Sequence, residues 1–245
     1  MIYPVSETFE SFQGEGVHAG TSMFFIRLAG CTVGRPYTVE RREELRPGGM
    51  PDPLPIYAEE CTLYDGRKIP CDTDYRKKER VDEKELARRV PENYKYVCIT
   101  GGEPLMHELK PLIQELLLYG KYIHIETSGS KSVQDCLKRN SKVWITVSPK
   151  TGFCFEMMAH ADEFKFLVDK EFYPERTFSL KEGMEVSPLY LATRTPTFLQ
   201  PVNFEHEVNA ENLKLCVEIQ RKFPVFRLSP QYHKLISHYI RETIR

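Results

Sequence analysis

With 245 residues, 41% of them hydrophobic and 28% charged, the chain has material for the full core of one α/β domain, and it holds no run of about eighteen apolar residues able to cross a bilayer. Its 34 basic and 35 acidic residues leave a formal net charge of -1, so electrostatics gives no reason to expect nucleic acid as a partner and a small-molecule substrate is favoured. The start, Met1-Ile2-Tyr3-Pro4-Val5-Ser6-Glu7, has neither a basic leader nor an apolar stretch before a cleavage site, which makes the cytoplasm the expected compartment.

Met23-Phe24-Phe25-Ile26-Arg27-Leu28 is the first predicted strand and ends at Gly30-Cys31. Residues 32–70 then break the regularity, with clustered charge from Glu40 and prolines and glycines near Pro47 and Pro55; a structureless stretch of this length inside a compact domain reads as an inserted loop. The next strand covers 95–100 and runs into Thr100-Gly101-Gly102-Glu103-Pro104. Leu105, Leu109, Leu112, Ile113, Leu116 and Leu117 follow at helical spacing up to Gly120. A strand at 122–126, a polar helix at 132–139, a strand at 143–147, a short helix at 155–161 and a strand at 163–168 continue the alternation. Phe198-Leu199-Gln200-Pro201 closes another strand, Asn209 caps a helix carrying Leu213, Cys216 and Val217, and Phe226-Arg227-Leu228 is the last strand. Strands alternating with crossover helices mean a parallel sheet, so the expected fold is α/β, a partial (β/α) barrel of about six parallel strands forming one domain over 1–245. Ligands in such folds bind at the carboxyl ends of the strands. Gly30-Cys31, Thr100 to Glu103, Glu126-Thr127-Ser128-Gly129, Ser148-Pro149-Lys150, Gln200-Pro201 and Ser229-Pro230-Gln231 all fall there; any one of them is an ordinary turn, and six on one rim read as a site.

Seven cysteines, an odd number without an export signal, speak against a disulfide framework. Cys98 lies inside a strand, Cys136 and Cys216 in helical patterns and Cys154 between two phenylalanines, where cysteine behaves as a small hydrophobe. Cys31, Cys61 and Cys71 remain, in irregular sequence. Three thiolates could bind zinc, although structural zinc is usually closed by four ligands and no histidine lies between Cys31 and Cys71. They could instead hold an iron–sulfur cluster with one iron left open for the amine and carboxylate of an amino acid. Gly101 and Gly102 let backbone approach such a ligand, though a tight strand-to-helix turn needs the same residues.

Phe12-Gln13-Gly14-Glu15-Gly16, Phe25 to Cys31, Cys71-Asp72-Thr73-Asp74, Thr100-Gly101-Gly102-Glu103-Pro104, Glu126-Thr127-Ser128-Gly129, Ser148-Pro149-Lys150 and Ser229-Pro230-Gln231-Tyr232-His233-Lys234 together resemble, in order and over nearly the whole chain, the 7-carboxy-7-deazaguanine synthase family of radical S-adenosylmethionine enzymes. The Gln-Gly-Glu-Gly and Cys-Asp-Thr elements are specific to that family, whereas the Gly-Gly-Glu-Pro turn is shared with many relatives. The chain departs from the pattern in the spacing of its cysteines, because both gaps between the three are expanded.

The resemblance implies a radical S-adenosylmethionine fold and a lyase that converts 6-carboxy-5,6,7,8-tetrahydropterin to 7-carboxy-7-deazaguanine with loss of ammonia, on the queuosine or archaeosine route. It implies a [4Fe-4S] cluster on Cys31, Cys61 and Cys71, where the first and last are anchored by neighbouring motifs and Cys61 is the cysteine that remains. Mg²⁺ is expected on Thr73, with Asp72 in its outer surroundings. Phe12, Gln13, Gly14, Glu15, Arg27, Thr100 and His233 are the expected substrate residues, and Glu15, Arg27 and His233 the catalytic ones. Arg27, a guanidinium in an apolar strand, should meet the substrate carboxylate or else a structural ion-pair partner. Gly102 and Glu103 would hold the methionyl amine of S-adenosylmethionine, with Ser148, Pro149, Lys150, Gln200, Pro201, Val202 and Asn203 elsewhere on the cofactor. Thr127 and Ser128 would serve its ribose or carboxylate, or simply cap a helix. His18, His107, His124, His160, His206 and His238 are expected on the surface. An electron donor such as flavodoxin or ferredoxin and a homodimer are the expected partners, without nucleic acid or membrane. The alternatives are another radical enzyme of the superfamily, such as a glycyl-radical activase, and a non-catalytic zinc-binding module.

Overall fold

The structure is a computed structural model that describes residues 1–36, 59–71, 78–203 and 208–240. In chain order its strands are β1 (Ile2–Phe12), β2 (Ser22–Leu28), β3 (Gly34–Pro36), β4 (Glu59–Thr62), β5 (Lys68–Cys71), β6 (Glu79–Asp82), β7 (Tyr96–Gly101), β8 (Tyr122–Thr127), β9 (Val143–Val147), β10 (Glu163–Val168), β11 (Phe178–Ser179), β12 (Glu185–Val186), β13 (Thr197–Pro201) and β14 (Phe226–Leu228). The helices are α1 (Glu83–Arg88), α2 (Lys110–Leu118), α3 (Met157–His160), α4 (Pro188–Ala192), α5 (Ala210–Lys222) and α6 (Tyr232–Ile240).

One nine-stranded sheet dominates, in the order β14-β13-β10-β9-β8-β7-β2-β1-β6. From β2 to β14 every neighbouring pair is parallel, so the parallel run is slightly longer than the half-dozen strands expected. It is extended by β1 and β6, which pair antiparallel and were not apparent in the sequence. In β1 only Tyr3 and Val5 are buried, and the strand owes its place to the register Val5↔Leu28 through Phe12↔Ser22 rather than to an apolar face of its own.

The central strands read as apolar runs because both their faces are covered. Outward-facing Ile26, Val97, Ile99, Ile123, Ile125 and Val147 join the large core beneath the helices. Inward-facing Met23, Phe25 and Cys98 form a smaller cluster with Phe9 and Tyr96, in which Phe9 and Phe25 stack at 4.9 Å. The leucine stripe after Glu103 is divided, since Pro104–Met106 make one 3₁₀ turn and α2 restarts with Pro111 in its first turn, where no intrahelical N–H is needed. The helix expected at 132–139 is instead a series of turns. Gln134 there accepts from Leu109 N and donates to His107 O, so tertiary bonds replace a helical ladder, and Arg139 takes φ 51°. Cys98, Cys154 and Cys216 are buried and Cys136 packs against the core, as expected. No described helix is long and apolar enough to cross a membrane.

The expected inserted loop is ordered in its described parts: β3, β4 and β5 make a three-stranded antiparallel ribbon with Gly34↔Cys61, Cys61↔Ile69 and Glu59↔Cys71 in register. Residues 37–58 lie outside the described residues. The ribbon is pinned to the barrel at its turn. Arg67 pairs with Asp65 and with Asp169, both at 2.7 Å, and donates to Leu167 O at 3.2 Å. Tyr64 packs on Phe166 and Phe178, Leu63 bridges to Lys150, and Thr151 N donates to Thr62 O.

Candidate active site

The parallel strands all end on one side, and the segments beyond those ends are bonded to one another in succession. Gly102 N donates to Leu28 O at 3.0 Å and Glu103 N to Gly30 O at 2.9 Å; Ser148 N reaches Thr127 O, and Lys150 N reaches Ser128 O. Val202 N donates to Val168 O and Ser229 N to Leu199 O, which closes the same chain of contacts on the far strands. Gly101 sits at φ 119°, and a Cβ there would fall 2.2 Å from Leu28 O, so only glycine allows this approach. Six turns predicted separately therefore form one rim.

At one side of the rim are the three cysteines. Cys31 Sγ accepts Val33 N at 3.4 Å and Gly34 N at 3.3 Å. Cys61 is hydrogen-bonded with Cys71; that contact first, and then burial, raise its pKa, with the charges of Cys71 and Cys31 acting in the same sense. Lys150 lies close enough to act on Cys61 and Cys71 electrostatically, and burial pushes its own pKa down. Among the described residues no three His, Cys, Asp or Glu side chains close into a set tight enough for a single metal ion. Asp72 and Thr73, the expected magnesium element, lie outside the described residues.

Inside the barrel, below the rim, three of the expected substrate residues, Gln13, Glu15 and Thr100, join one network around two carboxylates. Glu126 accepts Gln13 Nε2 at 3.0 Å, Thr100 Oγ1 at 3.0 Å and Lys165 Nζ at 3.1 Å. Glu15 accepts Lys165 Nζ at 2.5 Å, Gln200 Nε2 at 3.0 Å and Gln231 Nε2 at 2.7 Å. Asn203 Nδ2 extends the network by donating to Gln231 Oε1 at 2.6 Å. Burial alone would raise the pKa of Glu126, but the charge of Lys165, with smaller help from His124 and the bonds from Lys165 and Gln13, holds it down at about 2. Lys165 is likewise disfavoured as a cation by burial, and Glu126 and Glu15 overcome this and raise its pKa. Gln200 Oε1 is a buried acceptor without a partner.

The loop 13–21 is held over this layer from several sides. Gln13 and Thr21 close its neck, Val17 N donates to Glu163 Oε2 at 2.8 Å, and Tyr232 N donates to Gly14 O at 2.9 Å. His233 packs so tightly on Gly14 that a Cβ there would lie 2.0 Å from its Nδ1. Phe12 is the last residue of β1, at the entrance to this loop.

Other sequence expectations change in detail. Arg27 meets a carboxylate within the chain: Glu7, its cross-strand neighbour on β1, accepts Nε at 2.9 Å, while the guanidinium lies 5.8 Å from the Phe9 ring. Glu103 is fully buried and turned inward, accepting Leu105 N at 3.1 Å, Thr127 Oγ1 at 2.6 Å, Ser128 N at 2.9 Å and Ser128 Oγ. The hydroxyls of Thr127 and Ser128 are engaged in that tie. The surface expectation for the histidines fails at His124, which is buried, donates to or accepts from Thr146 Oγ1 at 2.6 Å, and has its pKa pushed down by burial to about 3. His18 is half-buried against Trp144 and His124, and His107 Nε2 bonds Ala29 O. His206 lies outside the described residues.

Comparison with known proteins places the chain in a family. A 7-carboxy-7-deazaguanine synthase of Synechocystis sp. is 32% identical over 237 residues, covering 96% of this chain and 93% of that one. The Escherichia coli enzyme of the same name is 30% identical over 255 residues, with 97% and 99% covered. This chain belongs to the 7-carboxy-7-deazaguanine synthase family. The crystal structure of QueE from Escherichia coli matches its fold with a TM-score of 0.59 at 24% identity, over 93% of each chain. No protein-family model matches the chain.

In this family member, Glu126 and Lys165 are the polar residues that sequence reasoning left without a role. The signal was present, since each is a charge on a strand built mainly of apolar residues, as Arg27 is. What the strand pattern lacks is the partner across the barrel.

Proposed function

We propose that this chain is a radical S-adenosylmethionine lyase that converts 6-carboxy-5,6,7,8-tetrahydropterin to 7-carboxy-7-deazaguanine with loss of ammonia, in 7-deazaguanine biosynthesis. The observation that carries the reading is the single buried network uniting Gln13, Glu15, Thr100, Glu126, Lys165 and Gln200 directly below a rim that bears three thiols.

The donor set fits an iron–sulfur cluster. Cys31, Cys61 and Cys71 offer three sulfurs on different segments, a cubane spreads its thiolates over separate irons, and the backbone N–H groups on Cys31 are of the kind that tune cluster sulfurs. The cysteine contact that makes Cys61 hard to deprotonate is one that metal binding releases with its protons. Cys31, Cys61 and Cys71 would hold the cluster, Thr73 the Mg²⁺, and the backbone of Gly102 with Ser148 to Lys150 and Gln200 to Asn203 the S-adenosylmethionine. When bound, these groups would supply the radical chemistry that starts at C6 of the pterin.

The residues of the chain have separable tasks. Glu15 and Glu126 are acceptors for the N–H groups of a guanine-like edge, and Thr100 and Gln13 set the orientation of Glu126. Arg27, fixed through Nε by Glu7, is the cation for the substrate carboxylate. His233 closes the substrate loop by packing on Gly14. Because the carboxylate of Glu103 is taken up by the chain, it supports the methionyl subsite by shaping the turn. An electron donor of the flavodoxin or ferredoxin kind and a homodimer complete the reading.

Anaerobically reconstituted, reduced enzyme with Mg²⁺ should convert the pterin without stoichiometric consumption of S-adenosylmethionine. Absence of conversion by iron-loaded enzyme would end the substrate assignment, and colourless, zinc-loaded protein would end the cluster.

A further inference from the structure

Two carboxylates and one ammonium occupy the middle of the barrel, and they reach it from different parts of the fold. Glu15 comes from the loop after β1, Glu126 from β8 and Lys165 from β10. The Lys165 side chain is only 5% exposed, with Nζ 2.5 Å from Glu15 and 3.1 Å from Glu126. We infer that Lys165 is a positioning residue for the substrate site: its buried ammonium clamps the loop-borne Glu15 to the strand-borne Glu126 so that the two form one anionic wall for the guanidine-like edge of the substrate. The inference rests on the functional reading above and adds to it a residue that does not itself need to touch the pterin.

Geometry alone argues for this role. Glu15 Oε1 is committed to Gln200 and Gln231 and Glu126 Oε2 to Thr100, which leaves the ammonium between Glu15 Oε2 and Glu126 Oε1. Without it, two carboxylates would face each other with no cation between them, and one would take up a proton or turn away. A protonated carboxyl group is a donor and a poor acceptor, so it would meet the substrate N–H groups badly. The titratable and charged groups acting on or beside this centre include Glu126 and His124 from β8, Glu15 and His18 from the loop, Glu163 from the same strand, Cys98 from β7, Arg27 from β2, which is paired with Glu7, and Lys150 from the rim after β9. Of these, burial keeps His124 neutral and Cys98 a thiol, while Glu163 is raised by burial and is bonded to Val17 N and Thr146 Oγ1. Among the described residues, Lys165 is thus the cation shown within ion-pair distance of both acceptors.

The test compares Lys165→Met, which keeps an apolar stem, with Lys165→Arg, which keeps the charge, measuring iron content, kcat and KM for the pterin between about pH 6 and pH 9. Lys165→Met should keep its iron and raise KM by roughly ten- to a hundredfold at neutral pH, with a smaller change in kcat. Its KM should fall as pH rises, because Glu126 must then lose a proton that Lys165 otherwise displaces; the wild-type KM should be flat over that range. Lys165→Arg should return the flat profile. If Lys165→Met is poorly folded, Lys165→Gln with Lys165→Arg as its rescue provides the same comparison. A wild-type enzyme that converts the pterin alongside a Lys165→Met enzyme with unchanged KM and flat profile overturns the inference. A wild-type, iron-loaded enzyme that does not convert the pterin overturns the functional reading instead.

Discussion

Replacing Glu103 by alanine separates a structural tie from a cofactor ligand. The carboxylate is fully buried and accepts two backbone N–H groups, from Leu105 at 3.1 Å and Ser128 at 2.9 Å, as well as the hydroxyls of Thr127 and Ser128. The hydroxyls can turn, and Ser128 Oγ already has Ser130 Oγ at 2.8 Å. The two N–H groups cannot, and each left unpaired costs about 1–3 kcal/mol. Release of the carboxylate from its buried position offsets part of this sum, leaving a net loss of roughly 3 kcal/mol. For a chain of this length that corresponds to a fall in melting temperature of roughly 6–12 °C. The assay is thermal unfolding, followed by circular dichroism, of protein free of iron and S-adenosylmethionine. An unchanged melting temperature in Glu103→Ala, together with lost S-adenosylmethionine affinity in the loaded enzyme, would refute the tie and return the carboxylate to the cofactor.

Arg67→Met removes both ion pairs at the ribbon turn, so amide exchange over 59–71 should become at least about tenfold faster and iron retention should drop; unchanged exchange would mean that Arg67 does not hold the ribbon. Cys61→Ala should abolish cluster binding, measured as iron and sulfide per chain, whereas Cys98→Ala and Cys216→Ala should retain it; a cluster that survives without Cys61 has a different second ligand. Acid should destabilise the fold in two stages. His124 is held neutral, so the unfolded chain takes up the proton first and stability falls as pH drops below 6.5 towards about 3. Against burial, the charge of Lys165 holds Glu126 below its ordinary 4.5, so its contribution is complete above that pH and is lost as the pH falls through the lowered value. Urea titrations of Glu126→Gln between those pH values should show a correspondingly shallower pH dependence, and a slope equal to wild type would contradict the ion pair.

The parallel strands and the turns gathered at their carboxyl ends were legible because their signals are local. Apolar runs such as Val97-Cys98-Ile99 need no partner to be recognised, and glycines or small polar residues punctuate each carboxyl end. β1 was not legible, since Ser6-Glu7-Thr8 resembles a polar segment until the register with β2 supplies its hydrogen bonds. The ribbon at 59–71 was hidden for a similar reason: Cys61 is placed by pairing with Gly34 on one side and Ile69 on the other, and by the distant Arg67–Asp169 contact.

Sequence by itself determined which residue types stand at the strand ends, and hence the family resemblance, the three candidate thiols and the polar residues of the 13–21 loop. Only the tertiary structure decided how those charges are paired. It gave Arg27 to Glu7, tied the Glu103 carboxylate to the neighbouring turn at Thr127 and Ser128, and set Lys165 between Glu15 and Glu126. Composition and spacing follow the chain in one dimension, whereas an ion pair across a barrel joins residues as much as 150 positions apart and depends on which strand lies beside which.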